Sequence, residues 1–145
     1  MPLFCVFAFA KCASAQLECT PKIWEIHYGQ PVKSTYDKNG LVFFHKAPLY
    51  YAAHFYQGGC DQVSVFSDTE SMGVPIELTD QTILTILSEM VKDSTWEAVA
   101  AAPMNRLWNT KDGKYIAIYD TMRKKMAVVS YVSYKREKYI RKPKQ

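Results

Sequence analysis

Asp112-Gly113 separates two β-prone runs, Arg106-Leu107-Trp108-Asn109-Thr110 and Tyr115-Ile116-Ala117-Ile118-Tyr119. An Asp-Gly pair in that setting is a strong hairpin signal, because Gly enters the positive-φ region that tight turns need. A second basic turn, Arg123-Lys124-Lys125, leads into Met126–Ser133. Three antiparallel strands are therefore expected near the C-terminus, and the rest of the chain has to be compatible with them.

The chain is short enough for one domain, and 48% of its 145 residues are hydrophobic, enough to fill a core. The net charge of +4 is uneven. Residues 135–145 hold six Lys/Arg against one acid, whereas residues 16–134 hold eleven against thirteen. A mildly acidic body with a basic tail does not fit a nucleic-acid-binding fold, which spreads Lys and Arg over a folded face.

Residues 1–15 read as a signal peptide. Leu3, Phe4, Val6, Phe7, Ala8 and Phe9 form an apolar run, and Ala13-Ser14-Ala15 places small residues where a signal peptidase needs them. Against this, no positive charge precedes the run, and a buried N-terminal strand or helix is the competing reading. The apolar run is too short to span a bilayer. Cleavage after Ala15 would remove Cys5 and Cys12 and leave Cys19 and Cys60. In a secreted or periplasmic setting that pair reads as one disulfide. Closing a loop of about 40 residues would contribute roughly 3–5 kcal/mol in the chain-entropy model. Two buried free thiols are the alternative. Neither cysteine pairs with His27, His45 or His54 at ligand spacing, so no metal site is expected.

Thr20-Pro21 opens a helix and Gly29 closes it. Pro31–Asn39 is a connection. Strands are expected at Leu41–Lys46, Leu49–Gln57 and Gln62–Ser67, with Gly58-Gly59 as a turn and residues 67–75 as a loop. Thr79–Lys92 is the clearest helix, with Thr79 as cap and a stripe of Ile83, Leu84, Ile86, Leu87, Met90 and Val91. A short strand near Trp96–Ala100 precedes the hairpins. The expected fold is α+β: an antiparallel sheet of about six strands on one main helix, which also reads as two α-β-β-β halves. The body is 16–134 and the tail 135–145.

Tyr28-Gly29-Gln30-Pro31, a helix stop before a meander, resembles the small secreted α+β modules of the BamE-like and β-lactamase-inhibitor-protein-like group. The resemblance implies protein–protein binding at a sheet surface.

No nucleophile-elbow, zincin, P-loop or dinucleotide motif occurs, and Gly58-Gly59 lacks the helix that a phosphate cradle needs. The carboxylates of Asp61, Asp68 and Glu70 read as a surface loop. No catalytic residue, cofactor or metal is assigned, and an enzyme with a site assembled only by the fold is the third functional class. The positive signal is aromatic. If Leu49, Tyr51, Ala53 and Phe55 face the core, alternation turns Tyr50, His54 and Tyr56 outward. By the same rule Ile116 and Ile118 inward put Tyr115, Ala117 and Tyr119 outward, with Phe66 and Tyr131 nearby. Such a face suits capture of a protein partner, since Tyr gives large contact area with few rotors. A cross-strand ladder that only stabilises the sheet is the other reading. The leading expectation is a small exported non-enzymatic binding or inhibitor-like module that uses Tyr50, His54, Tyr56, Tyr115 and Tyr119. An envelope-associated accessory protein, making weak contact with an anionic surface through its tail, comes second.

Overall fold

In a computed structural model, residues 16–34, 40–67, 76–99 and 103–140 are described. Residues 1–15, the loop carrying Asp68 and Glu70, and residues 141–145 lie outside them. Helix α1 spans Pro21–Tyr28 as its punctuation predicts. The Thr20 hydroxyl accepts from Ile23 N at 3.4 Å, and Gly29 leaves the helix at φ 84°. Four strands follow: β1 (Lys33–Ser34), β2 (Leu41–Lys46), β3 (Leu49–Tyr56) and β4 (Gly59–Ser67). Helix α2 (Asp80–Met90) is capped by Thr79, whose hydroxyl accepts from Thr82 N at 3.1 Å. Then come β5 (Trp96–Val99), β6 (Asn105–Thr110), β7 (Tyr115–Asp120), β8 (Lys125–Ser130) and helix α3 (Tyr131–Ile140).

The architecture is mixed α+β with one antiparallel sheet, in the order β1-β2-β3-β4-β8-β7-β6-β5. Eight strands and three helices are present among the described residues, against about six strands and one main helix expected. The additional strand β1 is only two residues long and lies inside the stretch read as a connection. Each half is a helix followed by four strands, and the halves join where β4 pairs with β8.

Turn chemistry sets the hairpins. Gln57 (φ 51°) and Gly58 (φ 83°) form the two-residue β3–β4 turn, so Gly59 begins β4 and the turn lies one residue earlier than expected. At the Asp112-Gly113 turn, Gly113 takes φ 74°. The Asp112 carboxylate accepts from the Thr110 hydroxyl at 2.7 Å and from Lys114 N at 3.1 Å, and these bonds hold it below the usual carboxylate range.

The core lies on the face covered by α1 and α2. Val42, Ala53, Val63, Val128, Ala117 and Trp108 form one cross-strand row through six strands, and all are buried. Trp24 of α1 is fully buried, stacks on Tyr28 at 4.8 Å, meets Phe44 at 5.5 Å and donates through Nε1 to Gln16 O at 2.8 Å. From α2, Ile83, Ile86, Leu87 and Met90 are buried, while Leu84 is exposed.

This row corrects the faces of β7. Ala117 shares it, so Tyr115 and Tyr119 point into the core, at 8% and 1% exposure, and Ile116 and Ile118 face the other way, half-buried. Both alternating sets of β7 are apolar enough to be buried, so alternation alone could not choose between them. Pairing through β8 to β4 and β3 chooses. Tyr119 is tolerated inside because its hydroxyl is partnered: Leu78 N donates to Tyr119 Oη at 3.0 Å. Burial, together with Glu18, pushes the Tyr115 phenol above its ordinary value. Tyr119→Phe leaves the buried Leu78 N–H without its acceptor. Urea unfolding should show a loss of about 1–3 kcal/mol, against a smaller loss for Ile118→Thr on the opposite face.

Candidate functional site

Three of the five residues expected to bind do stand on the sheet face opposite the helix-covered core. Tyr50 and His54 are half-buried there, and Tyr56 is 44% exposed. Tyr115 and Tyr119 do not join them, for the reason given above. In their place β7 contributes Ile116 and Ile118.

Two rows organise this open face. His45, Tyr50, Phe66 and Lys125 are paired in sequence across β2, β3, β4 and β8. Their side chains stack: His45 on Tyr50 at 4.4 Å, Tyr50 on Phe66 at 5.8 Å, and the Lys125 ammonium 5.3 Å above the Phe66 ring. The neighbouring row runs Phe43, Ala52, Ser64, Ala127, Ile118, Leu107. Small side chains occupy its middle and larger apolar ones its ends, and all six are half-buried. Val129 on this face is buried, at the end where α3 leaves β8.

A polar cluster sits at that same end. The β3–β4 ladder pairs His54 with Gln62 and Phe55 with Cys60, so Asp61 is an extra, bulged residue. A bulge re-aims a side chain. Here it turns Asp61 toward His54, whose Nδ1 lies 2.5 Å from Oδ1. The other carboxylate oxygen accepts from the Ser133 hydroxyl at 2.8 Å and from Arg136 Nη2 at 2.7 Å. The Arg136 guanidinium sits over Tyr56, its carbon 3.7 Å from the ring centroid. The Asp61 side chain is only 12% exposed, so it is a nearly enclosed carboxylate with charged or polar donors on both oxygens. Sequence reasoning placed Asp61 in a surface loop and missed Ser133 and Arg136, because a bulge and a docked helix are properties of pairing rather than of local pattern.

Serine, histidine and carboxylate are therefore adjacent, but in an order that differs from a hydrolytic triad. Asp61 stands in the middle, and the Ser133 hydroxyl donates its hydrogen bond to the carboxylate rather than to the imidazole. The cluster ties α3 to the sheet. Among the described residues no group of three or more His, Cys, Asp or Glu is placed to hold a metal ion.

Cys19 and Cys60 are both buried and are not joined by a disulfide in this structure. Glu18 N donates to Cys60 O at 2.7 Å and Cys60 N donates to Cys19 O at 2.9 Å, with Glu18 at φ 70°. The N-terminal segment is thus pinned by backbone bonds across the start of β4, without the Cys19–Cys60 disulfide that the sequence led us to expect. Burial and the Asp61 carboxylate push the Cys60 thiol up, which suppresses the nucleophilic thiolate.

No family model and no curated protein matches this chain. Among solved structures, one described as a cysteine-rich secretory protein from Staphylococcus aureus subsp. aureus Mu50 is similar at 9% sequence identity and a TM-score of 0.45. The match covers 81% of this chain and 46% of that one, so this chain spans less than half of its length.

Asp61→Asn keeps the shape of the cluster but removes the charge that draws in Arg136. Amide hydrogen exchange should speed up through residues 131–136 and stay slow through Tyr115–Asp120, with a stability loss of roughly 1–3 kcal/mol. Unchanged exchange in α3 would show that the helix is held by something other than Asp61.

Proposed function

We propose that the chain is a small, exported, non-enzymatic binding module that captures a protein partner on its open sheet face. The supporting observation is the continuous His45–Tyr50–Phe66 stack, capped by Lys125 and flanked by the half-buried row from Phe43 to Leu107. Aromatic side chains already held by their neighbours lose little freedom on binding, which favours their use as anchors. The apolar row beside them offers a desolvated centre, and the charges on its two sides, Lys125 and the Asp61 cluster, offer a polar rim.

The reading is tested by Tyr50→Ala combined with Phe66→Ala. Both side chains lie outside the core, so the variant should fold, as near-ultraviolet circular dichroism would report. It should lose capture of the partner from an extracytoplasmic extract by tenfold or more, in line with hot-spot truncations of roughly 2 kcal/mol. Full capture by a folded variant would refute the assignment of this face.

Export and the cysteine pair belong to the same proposal. Removal of residues 1–15 makes Gln16 the first residue of the mature protein. In an oxidising compartment the Cys19 and Cys60 thiols then lose two protons and two electrons to a disulfide oxidant and join as one bond. N-terminal sequencing of the exported product should begin at Gln16, and thiol titration after denaturation should find neither cysteine free. A product that keeps residues 1–15, or one that titrates both thiols, contradicts this part.

A further inference from the structure

The cluster at Asp61 has the chemistry of a ligand site that is filled from within. A planar cation lies on an aromatic face and bonds an almost enclosed carboxylate. The carboxylate is positioned on its other side by His54. These are the two recognition elements a guanidinium uses and a primary ammonium uses less well, because only the guanidinium is flat and forked. We propose that Tyr56, Asp61 and His54 form an arginine-binding subsite of the open face, occupied in the resting chain by its own Arg136, and that an arginine side chain of the protein partner replaces Arg136 when α3 lifts away. This rests on the open face being the partner-binding surface.

Helix α3 is built to be displaced at low cost. Of residues 131–136, Ser133 alone is buried, while Tyr131, Val132 and Tyr134 are 40%, 76% and 37% exposed. The helix therefore contributes little apolar burial through these side chains. Among its described side chains, Ser133 and Arg136 both bond one oxygen of Asp61, and Arg136 also lies over Tyr56. Replacing one guanidinium by another on the same carboxylate leaves no buried charge unpaired, which is the main cost of opening such a site. The backbone bond from Tyr131 N to Lys114 O, at 2.8 Å, remains as a pivot next to β8. Tyr56 is 44% exposed even with Arg136 in place, so an incoming side chain has an approach.

The proposal is tested on the full chain with N-acetyl-arginine amide as probe and N-acetyl-lysine amide as comparison. Binding is followed by the Tyr56 and His54 ring resonances. Arg136→Ala removes the internal competitor and should bind the arginine probe roughly tenfold more tightly than the wild type, because the site is no longer occupied by a linked ligand. The lysine probe should bind more weakly than the arginine probe. Adding Asp61→Asn to Arg136→Ala should abolish the gain. Arg136→Gln, which keeps a polar side chain but removes the charge and the planar fork, repeats the measurement in a second background. Absence of saturable arginine binding in folded variants overturns the proposal. So does equal binding of the two probes, or a gain that survives Asp61→Asn. Unfolding of both Arg136 variants would make Arg136 a structural strut and overturn it as well. In every overturning case, loss of partner capture by the Tyr50/Phe66 variant would still stand for the open face, so the two readings fail separately.

Discussion

The pairing of β4 with β8 is the contact on which the rest of the molecule depends. It joins two helix-plus-meander halves into one sheet, with Val63 opposite Val128 and Val65 opposite Met126, all fully buried. Because side chains alternate with a period of two, one register at this seam assigns every strand on both sides to its faces. A slip of one residue there would turn Val128, Ala117 and Trp108 to the face opposite Val42, Ala53 and Val63. The two helices then have a single apolar face to cover, and the other face is defined by what they leave open.

The open face derives its polarity from a local exception to that regularity. A single bulged residue, Asp61, interrupts the β3–β4 ladder beside the turn at Gln57-Gly58. Without the bulge the ladder would continue in step and the alternation would decide where residue 61 points. With it, Asp61 meets His54, Ser133 and Arg136, and the C-terminal helix acquires a place to rest. One backbone irregularity thus links the end of the sheet, the basic end of the chain and the exposed ring of Tyr56.

Legibility followed physical locality. Both capped helices could be read because Thr20 and Thr79 satisfy orphan amides a few residues away, and Gly29 breaks α1 through its own φ. The Asp112-Gly113 turn was legible for the same reason. The faces of β3 were legible because the buried set, Leu49, Tyr51, Ala53 and Phe55, continues in phase across the strand. The faces of β7 were not, since Tyr115 and Tyr119 are as buriable as Ile116 and Ile118, the Tyr119 hydroxyl being bonded by Leu78 N. Helix α3 was also hidden. Tyr131-Val132-Ser133-Tyr134 favours strand by propensity and reads as an extension of β8, yet it turns helical at Tyr131.

From the sequence by itself come the α+β class, the antiparallel meanders, the two capped helices and an aromatic outer face on β3. Each is determined by contacts within a few residues, whose chemistry the linear order already contains. Only the tertiary structure decided which tyrosines are core, that Asp61 is a clasp rather than a loop residue, and that Arg136 lies against Tyr56. Those outcomes depend on register across β4 and β8 and on a bulge, both set by residues far apart in the chain, where the free energy of packing outweighs local preference.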